Sequence, residues 1–132
     1  MTMQVPLAAA EAHVGPDGPV DVHVGAQTIV VDHGDGGPTP LELLTSALAS
    51  CSALSARTHL ARDGDRGEIT VVVTLDAGPP TLLYRRVLLP VRLDAADAHR
   101  LVDVLERTEV TLMLRPAFSI RTQVEHAGEP LL

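Results

Sequence analysis

From Leu43 to Ala56 the chain reads LLTSALASCSALSA, a run without a single charge. Wound at 3.6 residues per turn, the middle of such a run is apolar or small on every face, and a helix of that kind is expected to be buried all round. Ala47, Ala49, Ser46, Ser50, Ser52 and Ala53 are small enough to let another helix approach closely. A chain of 132 residues builds one core of modest size. One sheet covers one side of such a helix, and the other side calls for a partner. The same helix from a second copy is the economical solution, so a homodimer is expected.

The helix has a clear start. Thr39 can cap the free amides and Pro40 fits the first helical position, so the spacing predicts a helix from Leu41 to about Arg62, ended by Asp63-Gly64-Asp65-Arg66-Gly67. Before it, Pro19 to Val24 alternates apolar and polar, Gly25-Ala26 turns, and Gln27 to Asp32 continues as a strand, with a further strand expected over Glu11 to Val14. His33 to Pro40 reads as a loop. After the helix, Ile69 to Leu75 is a strand with Ile69, Val71, Val73 and Leu75 on one face. A second strand is predicted from Leu82 to Leu93, with Val87, Leu89, Val91 and Leu93 facing one way and Arg86 and Arg92 the other; Pro90 argues for an edge or a bulge. Asp94 caps an amphipathic helix to about Arg107, Thr108 to Leu114 makes one or two helical turns, and Phe118 to Glu125 closes as a strand. The strands come in groups rather than as regular βα repeats. The fold class is therefore α+β, read as a single domain over residues 1–132.

Composition removes several functions. Net charge is −7 and no basic run occurs, which disfavours nucleic acid and anionic membranes. Tyr84 and Phe118 are the only aromatic residues, so a base-stacking platform is not expected. All ten basic residues are arginines, which removes lysine Schiff bases and the P-loop lysine. The segment Met1 to His13 has no basic leader pattern and no apolar stretch reaches membrane-spanning length, so a cytoplasmic protein is expected.

Cys51, the only cysteine, lies in the middle of the long helix. Alone it forms no internal disulfide, which suits a reducing compartment. Two readings stay open: a small hydrophobe packed in the core, or a redox centre.

The run Gly37-Pro38-Thr39-Pro40-Leu41-Glu42-Leu43-Leu44, followed by Ala47-Leu48-Ala49-Ser50-Cys51, resembles the signature of the OsmC and organic hydroperoxide resistance superfamily. The resemblance extends over nearly the whole chain, including Val110-Thr111-Leu112 and the closing strand. It implies an intertwined homodimer with antiparallel sheets wrapped around long central helices and reactive sites at the subunit interface. In peroxidase members a central-helix cysteine attacks a hydroperoxide, a second cysteine resolves the sulfenic acid, and an arginine held by a glutamate activates the thiol. Only the first part matches here, at Cys51. Thr108-Glu109 stands where the second cysteine is expected, Leu41 stands at the glutamate position, and no arginine precedes Arg57. Glu42, nine residues before Cys51, projects from roughly the opposite helix face.

On this reading Cys51 is the catalytic candidate of a one-cysteine reductase of organic hydroperoxides, regenerated by an external thiol. A cation for the thiol would have to come from Arg100, Arg115, Arg121 or the other subunit, since Arg57 lies far around the helix. Leu41, Leu44, Leu48 and Leu54 would line an apolar pocket. The alternative is a non-catalytic dimeric binding protein that holds a small apolar ligand at the subunit interface. No cofactor and no metal is expected: His13, His23 and His33 are ten apart, His59 stands near a helix end, and all are read as solvated. The loop with Asp32, Gly34, Asp35 and Gly36 reads as a plain turn rather than a cation site. Arg85-Arg86 and Arg92 are read as a solvated strand face.

Overall fold

The computed structural model describes residues 8–32 and 36–132. The leader reading falls partly, and the His33, Gly34 and Asp35 readings wholly, outside the described residues. The chain forms two compact units, residues 1–43 and 44–132.

The first unit carries a three-stranded antiparallel sheet in the order β1 (Glu11–Val14), β2 (Val20–Val24), β3 (Gln27–Val31). Gly25 turns β2 into β3 at φ 58°, a conformation that glycine adopts without a Cβ penalty. The Gly37-Pro38 loop folds back on β3, with the Asp32 amide donating to the Pro38 carbonyl at 3.1 Å. A Cβ at Gly37 would stand 2.0 Å from the Val30 carbonyl oxygen, so this glycine is required by close backbone approach. Thr39 and Glu42 then form a reciprocal cap: the Glu42 amide donates to Thr39 Oγ1 at 3.1 Å, and the Thr39 amide donates to Glu42 Oε1 at 3.0 Å. They open α1 (Pro40–Ala61), within a residue of the expected bounds.

The second unit holds most of α1, then β4 (Thr70–Asp76), β5 (Leu82–Leu89), α2 (Ala95–Glu106), α3 (Glu109–Leu114), β6 (Ser119–His126) and the short β7 (Glu129–Pro130). Its sheet has the order β4-β5-β6-β7. The β4–β5 ladder is antiparallel, as expected, and so is the β6–β7 ladder, whereas β5–β6 departs from the expected antiparallel sheet: it is parallel because α2 and α3 lie between the two strands in the chain. Strand β5 is thus an inner strand. Pro90 does not sit at an edge within it; the strand stops at Leu89, before the residue that has no amide to give. Residues Ala127 and Gly128 make the β6–β7 turn, both at positive φ.

The core of this unit packs Ala56 and Leu60 of α1 and Leu101 and Leu105 of α2 against Val87 and Leu89 of β5 and Val124 of β6. Helix α1 buries a strict i, i+4 stripe of Leu48, Ser52, Ala56 and Leu60. Asp94 caps α2 by accepting from the Asp97 amide at 2.8 Å, as its sequence predicts. Among the described residues, no helix is long and apolar enough to cross a membrane.

Candidate functional site

Strand β5 alternates strictly, with Leu83, Arg85, Val87 and Leu89 buried on one face. Arg85 was expected in water, beside Arg86 and Arg92. It is instead wholly buried, on the face that packs the core. Its neighbours in register are Val73 of β4 and Thr122 of β6.

A buried guanidinium is tolerated only with acceptors around it, and Arg85 has them. Nε donates to Thr122 Oγ1 at 3.0 Å, Nη1 to Ser52 Oγ at 3.0 Å and Thr111 Oγ1 at 2.9 Å, and Nη2 to Glu106 Oε1 at 3.3 Å. Ser52 sits in the buried stripe of α1, and its hydroxyl donates to the Leu48 carbonyl at 2.7 Å while accepting from Arg85. Thr111 shares a 2.6 Å hydrogen bond with Thr108, which donates in turn to the Leu105 carbonyl at 3.2 Å. Thr122 donates to Glu106 Oε1 at 3.3 Å. The other carboxylate oxygen, Oε2, pairs with Arg115.

Cys51, adjacent to Ser52 and half-buried, falls within the electrostatic reach of Arg85. Burial lowers the Arg85 pKa to about 10, Arg115 pushes it the same way, and Cys51 acts in the opposite sense. Five elements therefore converge: α1 brings Cys51 and Ser52, β5 brings Arg85, the end of α2 brings Glu106, α3 with its flanks brings Thr108, Thr111 and Arg115, and β6 brings Thr122.

The other sequence candidates separate from this cluster. Arg57 donates to the Gly67 and Asp65 carbonyls and closes the turn after α1. Arg100 pairs with Asp97, and Arg92 with Glu129 at 3.2 Å. Arg86 faces the opposite side of the sheet from Arg85 and holds Glu125 with two hydrogen bonds, at 2.8 and 3.1 Å. Of the arginines proposed as thiol partners, Arg115 enters the cluster, through Glu106. The four leucines do not share one pocket: Leu48 is fully buried, whereas Leu54 is 71 % exposed and lines a cavity of about 300 Å3 with Ser55, Thr58, His59, Arg62 and Val104. The β1–β2 register brings His13 and His23 together edge to face, with ring centroids 5.3 Å apart on an exposed surface. Among the described residues, no group of three or more histidines, cysteines or acidic residues is placed to hold a metal ion.

Solved structures share this fold. The OsmC-like protein of Mycoplasma pneumoniae superposes with a TM-score of 0.73 at 17% identity, over 93% of this chain and 99% of that one. A protein of Psychrobacter arcticus, described as a putative osmotic stress induced and detoxification response protein, gives 0.75 at 18% identity, over 95% and 100%. The organic hydroperoxide resistance protein OhrB of Bacillus subtilis gives 0.64 at 19% identity, over 89% and 97%. No curated protein matches the chain by sequence. The family model for OsmC-like protein matches residues 33–123, a span running from the loop before α1 through Cys51 and Arg85 to Thr122, and the chain belongs to that family.

Proposed function

We propose that this protein is an oxidative-stress protein that reduces organic hydroperoxides through Cys51, with an external thiol as reductant and Arg85 as the cation that favours the thiolate. The observation that supports it most is the buried Arg85, held by Ser52, Thr111, Thr122 and Glu106 within electrostatic reach of a half-buried thiol. A mid-helix cysteine among Leu and Ala has no helix terminus to ionise it, and a fixed guanidinium supplies the missing charge. The family's pairing of an arginine with a glutamate is met here by residues from other elements, Arg85 of β5 and Glu106 of α2.

The chemistry is a two-stage exchange. The Cys51 thiolate attacks the terminal oxygen of the hydroperoxide, an S–O bond forms as the O–O bond breaks, and the departing alkoxide takes a proton to become the alcohol. A thiolate then attacks the sulfenic acid, releasing water after protonation and leaving a mixed disulfide. A second thiolate attacks that disulfide and restores the Cys51 thiolate. The net reaction consumes one hydroperoxide and two thiols, and yields one alcohol, one disulfide and one water. Thr108, where a resolving cysteine would be expected, is a hydroxyl bonded to Thr111, so resolution is assigned to a thiol from solution.

The working form on this reading is a homodimer in a cytoplasmic setting. Its support is that α1 buries one stripe and leaves Leu41 and Leu54 more than half exposed. The test follows cumene hydroperoxide loss with dithiothreitol present, in wild type and Cys51→Ser. Turnover is expected in the first and not in the second. Equal rates in both would sink the reading.

A further inference from the structure

Glu106 is one carboxylate between two guanidinium groups. Arg85 donates to its Oε1, Arg115 pairs with its Oε2, and among the described residues neither arginine has another carboxylate partner. The remaining acceptors of Arg85 are the hydroxyls of Ser52, Thr111 and Thr122, which are neutral. With a neutral Cys51 the cluster therefore carries a net charge of about +1, and with a Cys51 thiolate it is balanced. That Arg115 opposes the charge of Arg85 agrees with two cations short of one anion.

The catalytic cycle alternates between these states. The thiolate's negative charge leaves with the alkoxide, and the protonated sulfenic acid is neutral. Between hydroperoxide attack and thiol attack, the cluster lacks its counter-ion. Arg85 is wholly buried, while the Arg115 side chain is 50 % exposed, so Arg115 is the part of the cluster that a dissolved anion can reach.

We propose that this uncompensated charge selects the reductant, so that the oxidised site takes a carboxylate-bearing thiol in preference to a neutral or cationic thiol of similar size. The proposal rests on the peroxidase reading given above. The chain as a whole carries −7, so its overall field disfavours anions, and a preference for an anionic thiol must originate locally at the arginines.

The experiment compares mercaptopropionate, mercaptoethanol and cysteamine as reductants at saturating hydroperoxide, each rate divided by that thiol's thiolate concentration and by its rate with a small model disulfide. The order anionic, neutral, cationic is expected. The anionic-to-cationic ratio should be at least about fivefold, close to 1 kcal/mol of electrostatic discrimination, should fall with added salt, and should collapse in Arg115→Gln. Equal normalised rates in wild type, or an unchanged ratio in Arg115→Gln, would overturn the proposal. A second readout needs no turnover: the rate at which mercaptopropionate, relative to cysteamine, releases thiopyridone from Cys51 capped as a neutral pyridyl disulfide, a state in which the cluster again lacks its counter-ion. Loss of that ratio in folded Arg115→Gln supports the charge assignment even if hydroperoxide turnover proves independent of Cys51. A ratio independent of Arg115 refutes it.

Discussion

Replacing Arg85 by methionine separates the two things a buried arginine can be, a structural brace or a charge held for chemistry. Burial lowers its pKa to about 10, and at about 1.4 kcal/mol per pH unit the charged form costs the folded state roughly 3 kcal/mol. The cost is present in full at neutral pH, below both the folded and the unfolded value, and is relieved only as pH rises past about 10. Against it stand three hydrogen bonds to hydroxyls and one to a carboxylate, together contributing roughly 3 to 6 kcal/mol. Methionine keeps a long unbranched side chain in the space. Each group left behind also retains a partner: Ser52 the Leu48 carbonyl, Thr111 the Thr108 hydroxyl, Thr122 the Glu106 carboxylate, and Glu106 the Arg115 guanidinium. No buried polar group is stranded, so Arg85→Met is expected to change stability by no more than about 3 kcal/mol.

Thiol reactivity should respond quite differently. Without the guanidinium, alkylation of Cys51 by iodoacetamide at neutral pH should slow by roughly tenfold for every 1.4 kcal/mol of attraction lost. Urea melts and alkylation rates on the same preparations decide the matter. Arg85→Lys, which keeps the charge and gives up the planar fork, should recover part of the rate. A folded Arg85→Met with unaltered alkylation would refute the electrostatic coupling. A loss well beyond 3 kcal/mol would show that the accounting has missed a structural brace.

Three further outcomes follow from the same geometry. Arg86 holds the Glu125 carboxyl below the usual carboxylate range, so this pair's contribution is present above the ordinary value of 4.5 and is lost as pH falls through the lowered one; Glu125→Gln should flatten the acid limb of a plot of Tm against pH, and an unchanged limb would contradict the assignment. Ala127 sits at φ 52° beside Gly128 at 81°, so Ala127→Asn should stabilise by about 0.5 to 1 kcal/mol in denaturant melts, and destabilisation would count against this turn. Gly37→Ala places a methyl 2.0 Å from the Val30 carbonyl and should cost at least about 2 kcal/mol, whereas Gly78→Ala, where a Cβ meets nothing within 4 Å, should cost far less; equal losses would argue against the loop packing on β3.

Much of the fold was legible because each element carries its own punctuation. Thr39-Pro40 opens α1, Asp94 caps α2, and alternation marks β4 and β6 within a residue of where they lie. The β7 strand was not legible, since Glu129–Pro130 is too short for any period to register. Nor was the meeting of His13 with His23, which depends on the β1–β2 register rather than on spacing along the chain. The parallel β5–β6 ladder likewise depends on how α2 and α3 cross, a tertiary fact with no local signature.

Arg85 is the instructive case, because its burial could have been deduced. In Leu82-Leu83-Tyr84-Arg85-Arg86-Val87-Leu88-Leu89, consecutive side chains point to opposite faces, so in a regular strand the two arginines cannot both face water unless both faces do. With Val87 and Leu89 on the core face, period two places Arg85 there as well. Arginine is rarely buried, which favours a solvated pair, but the strand alternation overrides that tendency here. The same rarity contains the functional signal. A buried guanidinium needs acceptors, and polar residues stand out in otherwise apolar positions: Ser52 within the stripe of Leu48, Ala56 and Leu60, and Thr111 within the apolar run of α3. Each is an anomaly on its own element, and together they satisfy one side chain. A core assembled for stability alone would have filled these positions with Val, Ala and Leu, without the desolvation cost that Arg85 bears. Retaining the charge beside a cysteine is intelligible if the cysteine uses it, which is why the stability of Arg85→Met and the reactivity of its Cys51 have to be measured on the same protein.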